Sequence, residues 1–389
     1  MQSGNDMKIN VENRCSDFKT YRAARVKSLF NCESGANFSL NADLPIGDDE
    51  SPSWRLGVVV GPSGSGKTSM GRQIVGPHAF YEAKGWPQDT PIIDAIAPQG
   101  DFNEVTAALA AVGLGSVPAW LRPYDVLSNG EKFRADLARI LCEAPERVVV
   151  DEFTSVVDRQ IARFGALAFQ KSWRRLDNGG RAVLLSCHYD ILEWLEPDWV
   201  FDTATGKFTG RGLWRRPKFD LEIWQTDWRF WPLFEPHHYL KLPKMVAATN
   251  YIGTVEDTPV VHVAFSTRPG LVEARACRLV VLPEWQGAGV GMRFLNAVCE
   301  MWRRGENRYN KAMPTLFHTS HPGLAAALRR DPRWKQLSAN LYGGNKGRSI
   351  SSLNKSALSK GGEVSSGGFG GHFRAVQGFR YLGQETKAA

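Results

Sequence analysis

Two glycine-rich loops carry most of the chemistry that this sequence discloses. The first is GPSGSGKT, Gly61 to Thr68, directly after the apolar run Val58-Val59-Val60. Its glycines let backbone N–H groups turn inward on phosphate oxygens, and a following helix adds its positive N-terminal end. Lys67 is placed to reach terminal phosphates, and the Thr68 hydroxyl to ligate Mg2+. The second is QGAGVG, Gln286 to Gly291, between CRLVVLP (277–283) and MRFLNAVCEMWRRG (292–305). It lacks the Lys-Ser/Thr ending, so it suits an anion held by backbone donors alone. The two loops are built for different phosphate compounds.

Further residues fit the first loop. RVVVDEF (147–153) reads as a buried strand ending in two acids. Asp151 is placed in the Mg2+ shell, and Glu152 to orient or deprotonate an attacking water. LSNGEKFRADLARIL (127–141) is a polar turn opening a helix with Phe133, Leu137, Ile140 and Leu141 along one side. With Gln99 in IAPQG, SVVD (155–158) and His188 in LLSCHYD, these motifs stand in the order found in ABC-type ATPases, which the chain resembles over about residues 20–210.

The resemblance implies an ATP site made by Gly61, Ser63, Gly64, Ser65, Gly66, Lys67, Thr68 and Ser69, with Thr68, Gln99 and Asp151 around Mg2+. It makes Leu127 to Glu131 the signature motif, including Ser128, Gly130 and Glu131. Asp158 ends the D-loop, and His188 is the switch histidine beside the catalytic Glu152. It also implies a homodimer, in which Ser128 and Gly130 of one copy close over ATP held on Lys67 of the other. Tyr21 and Phe30 are candidates to stack on adenine, or else to pack in a core. The stretch from Gln99 to Leu127 is short for the helical arm that couples transporter ATPases to membrane subunits. No apolar run approaches the roughly 18–20 residues of a membrane span. A soluble ATPase is therefore favoured over a transporter subunit.

The second loop, with its Val281-Leu282-Pro283 lead-in, resembles the coenzyme-A loop of GNAT-type N-acetyltransferases, Q/R-x-x-G-x-G/A. That resemblance implies acetyl-CoA, or another acyl-CoA, held by Gln286, Gly287, Ala288, Gly289, Val290 and Gly291. Val281 and Leu282 would hydrogen-bond its pantetheine. KFDLEIWQTD (218–227) predicts a first strand, and KMVAATNYIG with PVVHVAFST a central hairpin. TLFHTSHP with GLAAALRRD predicts a strand and helix, and HFRAVQGFRYLG a terminal strand pair. The whole is similar to ABC-ATPase–acetyltransferase fusion proteins of prokaryotes and phages. The expected fold is thus α/β: a P-loop ABC-type ATPase domain over 1–210, then an α+β acetyltransferase domain over 211–389.

Acyl transfer to an amine needs a base, and the departing thiolate a proton. Polar candidates cluster in PHHYL (His237, His238, Tyr239) and HTSHP (His318, Ser320, His321), where strand-end packing is the competing role. No CxxC or HxxxH spacing indicates a transition-metal site. The six scattered cysteines suggest neither zinc nor a disulfide framework and point to a reducing cytoplasm.

Charge is unevenly spread. Residues 211–389 hold 26 Lys+Arg against 13 Asp+Glu, a net +13, while residues 1–210 are net −5. A basic half suggests an anionic partner, nucleic acid or coenzyme phosphate. Trp214, Arg215 and Arg216 combine an aromatic face with cationic forks suited to base stacking and phosphate contact, or to sealing a domain interface. The Gly/Ser-rich stretch at about 343–371 predicts a flexible basic loop. The expected activity is ATP-dependent N-acylation, with a nucleic-acid base as the leading acceptor. A protein or small-molecule acetyltransferase gated by ATP is one alternative. An ATP-switched nucleic-acid-binding or repair protein with a non-catalytic second domain is the other.

Overall fold

The computed structural model describes residues 7–13, 18–30, 38–46, 54–81, 85–210, 219–238, 244–245, 247–268, 270–340 and 375–383. In chain order come β1 (Met7–Asn13), α1 (Tyr21–Phe30), β2 (Phe38–Leu44), β3 (Leu56–Val60) and α2 (Lys67–Val75). The short α3 (Ile92–Ala95), α4 (Phe102–Ala111), the one-turn α5 (Val117–Trp120) and the long α6 (Asn129–Glu143) follow. Next are β4 (Arg147–Val150), α7 (Arg159–Trp173), β5 (Arg181–Ser186), α8 (Leu192–Leu195), β6 (Trp199–Asp202) and β7 (Lys207–Gly210). Then come β8 (Glu222–Thr226), α9 (Trp231–Phe234), β9 (Thr249–Val255), β10 (Thr258–Thr267), β11 (Ala274–Val281) and α10 (Val290–Arg304). Last are β12 (Thr315–Thr319), α11 (Pro322–Arg330), β13 (Trp334–Asn340) and β14 (Val376–Tyr381). Among the described residues no helix is long and apolar enough to cross a membrane.

The chain divides into two compact units, residues 1–86 with 143–217, and residues 87–142 with 218–389. The first unit holds a five-stranded sheet ordered β4-β5-β3-β6-β7, parallel except for β7. Strand β3 is buried along its whole length, which explains its unbroken apolar run. Helix α2 lies close on this sheet: a Cβ at Gly71 would sit 3.0 Å from Leu185 and 3.1 Å from Val149. Glycine is needed there for approach, not flexibility. Both ends of the close contact fix the loop at the carboxyl end of β3, where open α/β sheets place ligands.

The second unit is built on a seven-stranded sheet ordered β13-β14-β12-β11-β10-β9-β8. Neighbours are antiparallel except β11 and β12. The predicted hairpin is present: Glu256 and Asp257 between β9 and β10 both have positive φ (48° and 62°), as a two-residue turn matching strand twist requires. Helix α10 buries Phe294, Leu295, Val298, Cys299 and Trp302, and Trp302 stacks on Phe265 of β10 with ring centroids 5.2 Å apart. The terminal strand pair differs from expectation. Strand β14 has its partner in β13, Trp334–Asn340, across a long intervening stretch.

The segment 87–142 keeps company with the second sheet. Helix α11 lies along α4, and a Cβ on Gly323 would stand 2.2 Å from the Ala110 side chain. Sequence order put this segment inside the ATPase domain; its packed surface joins it to residues 218–389.

Candidate functional site

In the first unit, the loop from Gly61 opens α2 on Gly66, which is left-handed (φ 81°, ψ 8°) and makes no side-chain cap. The first amides of α2 are therefore left for a ligand. Lys67, 7% exposed, donates to the carbonyls of Gly61 and Pro62, both at 2.8 Å. It is held over its own loop. Ser65 Oγ lies 2.6 Å from Thr203 Oγ1 at the end of β6, a partner with no sequence signal. Ser63, Gly64 and Ser69 belong to the same loop and helix start, and a Cβ at Gly64 would meet nothing within 4 Å.

Thr68 Oγ1 donates to Asp151 Oδ2 at 2.8 Å, so the two groups expected around Mg2+ already converge. A hydroxyl and a carboxylate oxygen at that spacing fit a hard cation that keeps waters and takes its remaining ligands from phosphate. Asp151 Oδ1 accepts from Glu152 N at 2.8 Å. Glu152 itself sits at φ 48°, a strained position for a non-glycine residue and costing about 1 kcal/mol. Its Oε2 accepts from Ser155 Oγ at 2.6 Å. Ser155 thereby aims the carboxylate. Asp158 caps α7 by accepting from Gln160 N.

His188 is half-buried, and its backbone N–H donates to Ser186 Oγ at 3.1 Å. The turn after it is fixed twice: Tyr189 OH donates to Asp202 Oδ1 at 2.9 Å, and Asp190 accepts from Arg159 and Arg163 of α7. Tyr21 is 76% exposed, which removes core packing as its role. The side chain of Phe30 lies outside the described residues.

The remaining nucleotide candidates belong to the second unit. Gln99 is exposed in the turn before α4. Ser128 and Glu131 form a reciprocal capping box on α6, Ser128 N–H and Oγ–H donating to Glu131 Oε2 at 2.9 and 2.8 Å. Gly130 lies in the first turn of that helix.

The second glycine loop repeats the geometry of the first. Helix α10 opens on Gly289 (φ 81°, ψ 9°), again with no side-chain cap. A Cβ at Gly289 would meet nothing within 4 Å, so the loop is uncrowded at that position. Gly287 is also left-handed (φ 90°), while Ala288 and Val290 are buried beneath the loop. Gly291 departs from expectation. Its Cβ would press Val281 at 2.9 Å, so this glycine packs the helix on β11. Leu282 N–H is used within the sheet by Val260. The Val281 carbonyl accepts from Gln286 Nε2 at 3.0 Å.

The proton-transfer candidates separate. His237 is exposed, while His238 is buried edge-on to Trp231 with centroids 5.6 Å apart. His318 is an exposed residue of β12. Ser320 Oγ is buried without a hydrogen-bond partner. His321 is not free to act as a base. Its Nδ1 accepts from Leu324 N at 3.2 Å, which leaves the proton on Nε2, 3.0 Å from the Gly115 carbonyl. Burial lowers its pKa, against the opposing pull of that carbonyl. Tyr239, Trp214, Arg215, Arg216 and the 343–371 stretch lie outside the described residues.

One buried histidine was missed from the sequence. His262 of β10 is fully buried among Trp228, Trp231 and Phe234, with its ring nitrogens 3.2 Å from the Arg278 carbonyl and Asn250 Oδ1. Burial pushes its pKa down to about 4, outweighing the Arg278 carbonyl. An unfolded histidine titrates near 6.5. Because the folded value is depressed, this group's stabilisation is full above pH 6.5 and lost as pH falls toward 4. The loss is about 3 kcal/mol at the bottom of the window. Urea unfolding followed across that range should show the slope, and His262→Gln should reduce it.

Comparison with known proteins bears on the first loop. Over an alignment of 158 positions that covers 34% of this chain and 69% of its relative, the chain is 28% identical to the cytochrome c biogenesis ATP-binding export protein CcmA of Alcanivorax borkumensis. This chain contains an ABC-type ATPase-like nucleotide-binding domain. Solved structures of this kind align over about half of it. They include the ATP-binding cassette MJ0796 in a dimeric post-hydrolysis state bound to ADP and Pi, with TM-score 0.36, 13% identity, 47% of this chain and 95% of that one. A putative cobalt transport ATP-binding protein aligns with TM-score 0.33, 18% identity, 46% of this chain and 74% of that one. No protein-family model matches the chain. The ABC-type homology supports ATP hydrolysis and implies ATP with Mg2+, in keeping with the Thr68–Asp151 pair.

Proposed function

We propose that this chain is an ATP-driven N-acyltransferase, in which a homodimeric ABC-type ATPase is coupled to acyl-CoA-dependent acylation of a nucleic-acid base. The observation that carries the acyl-CoA site is the parting of two parallel strands. β11 and β12 pair over just three positions, Ala274–Ala276 with Thr315–Phe317. β11 then runs on to Val281, with a bulge at Arg278 (φ 55°) that helps turn it away. Between the parted strands an extended thioester can lie with its pyrophosphate at the amides of Gly289 and α10. His318 and the unpartnered Ser320 hydroxyl, two residues apart at the end of β12, are the best-placed groups to exchange protons with the acceptor and the thiolate.

Mg2+ would be held by Thr68 and Asp151, and would supply charge stabilisation on the phosphates. Glu152, aimed by Ser155, would polarise the attacking water, and Lys67 would leave its own carbonyls for the phosphates. The dimer reading rests on the resemblance of Leu127 to Glu131 to the signature motif, whose Ser128 and Gly130 would close over ATP held on Lys67 of a second copy. CcmA is named an export protein. Here the segment that would face a membrane partner is packed against the chain's own helix α11 and second glycine loop, and this favours the acyltransferase over a transporter subunit.

The net +13 of residues 211–389 supports an anionic acceptor. Mass spectrometry of total nucleosides, from cells with and without the protein, tests that directly: a new acylated base supports it, and identical profiles count against it. Single-stranded DNA or RNA should bind with steep salt dependence. Replacing Arg215 and Arg216 by Glu should weaken binding at least about tenfold, or roughly 1.4 kcal/mol. Wild-type protein that binds neither at low salt points to a protein or small-molecule acceptor.

A further inference from the structure

We propose that Gln286 and Arg134 are positioning residues that make acyl-CoA binding depend on the bound nucleotide. The inference rests on the acyl-CoA site proposed above. It starts from Gln286, the first residue of the second loop. Its Oε1 accepts from Gly115 N at 3.1 Å, and its Nε2 donates to the Val281 carbonyl at 3.0 Å. One side chain therefore joins the segment 87–142 to the edge of β11 where the strands part. That carbonyl is the group a pantetheine amide would use, and Gln286 already takes one of its two acceptor positions.

Two further contacts grip the same loop from the same segment, and a third holds the segment itself. Gly113 (φ 85°) lies so close that a Cβ would stand 2.6 Å from the Gln286 carbonyl oxygen. Both its conformation and this approach exclude any other residue. Arg134, 3% exposed, donates from Nη2 to the Pro283 carbonyl at 2.7 Å, while its buried Nε has no partner. A guanidinium with an unmet donor is a costly group to bury, and a small shift of the loop or helix would change its bonding. His321 fixes the Gly115 carbonyl from the other side, with Trp120 edge-on to its ring.

The gripping segment also holds the groups expected to sense ATP. Gln99 precedes α4, and Ser128 and Gly130 open α6, the helix that carries Arg134. Six residues of helix separate Ser128 from Arg134, about 9 Å of rigid rod. A nucleotide drawn onto Ser128 and Gly130 must move Arg134 with them. Movement of the segment pulls Gly115 from Gln286, frees the Val281 carbonyl and opens the loop to acyl-CoA.

The full chain carrying Glu152→Gln, which retains ATP, supplies the test. ATP should raise hydrogen exchange in residues 282–291. It should also tighten acetyl-CoA binding, measured by calorimetry, by at least about fivefold, the lower end of usual couplings between sites. By reciprocity acetyl-CoA should tighten ATP by the same factor. Added to this background, Gln286→Ala should bind acetyl-CoA equally with and without ATP. Arg134→Met should lose the dependence, and Arg134→Lys, which keeps a donor, should restore part of it. Unchanged exchange and equal acetyl-CoA affinity in the two states overturn the relay and leave the acyl-CoA site standing. If neither wild type nor Gln286→Ala binds acetyl-CoA in either state, the site itself is lost and the relay with it.

Discussion

Glu152→Gln should stop ATP turnover while leaving ATP bound, and should trap the protein as a dimer. The amide keeps the side chain's size and can still accept from Ser155 Oγ, now 2.6 Å from Glu152 Oε2. What it loses is the ability to take a proton from the attacking water. Removing a positioned general base costs about 10²–10⁴-fold in rate. Asp151 and Thr68, which bond each other at 2.8 Å, are untouched and still available to Mg·ATP. With hydrolysis blocked, the state in which Ser128 and Gly130 close over a partner's nucleotide should accumulate. Light scattering behind size exclusion reads the mass directly. A variant that stays monomeric in saturating ATP sinks the two-site sandwich.

The first loop could be read from sequence because its constraints are local. An apolar run, a glycine spacing and a Lys-Thr ending specify strand, phosphate cradle and helix within about a dozen residues, and Gly66 adopts the left-handed conformation that such a loop needs. The Asp151–Glu152 pair was legible for the same reason, whereas the bond from Ser155 to Glu152 came only with the fold. Thr203 was not, because its place beside Ser65 depends on β6 pairing with β3 across a long separation.

The second unit shows a similar limit. Alternation and turn chemistry announced β9 and β10, and the glycine loop announced α10. Strand β13 had no turn signal tying it to β14, since its register is set by a partner far along the chain. His321 looked like a proton-transfer residue beside His318. Tertiary contact gave it two hydrogen-bonding duties instead, one capping α11 and one reaching Gly115. Spacing along a chain cannot register that the segment 87–142 turns away to pack on α11. Gly113 and Gly115 in AVGLGSV carried the trace of it: two glycines just past a helix, one of them needed for close approach to Gln286.

Gly289→Val should abolish acetyl-CoA binding, and it is the sharper of two substitutions in that loop. Gly289 stands at φ 81° as the N-cap of α10, and a Cβ there would meet nothing within 4 Å. In the free protein the added Cβ therefore meets no neighbour, and the cost at that atom is the left-handed backbone, about 1–2 kcal/mol. The branched side chain would project into the space over the amides that are meant to hold the pyrophosphate, so ligand and side chain exclude each other. Gly291→Val acts differently, because a Cβ there already presses Val281 at 2.9 Å and must shift the strand. It should lower stability as well as affinity, whereas Gly289→Ala, with a smaller intrusion, should lose less binding than Gly289→Val. Calorimetry with acetyl-CoA should show at least about a hundredfold loss for Gly289→Val, roughly 2.7 kcal/mol, with ATP hydrolysis retained. If that variant binds acetyl-CoA like wild type, the loop is not the acyl-CoA site. If wild type gives no heat with any acyl-CoA, whether ATP is present or absent, the acyltransferase reading fails, and a protein that only grips nucleic acid under ATP control takes its place.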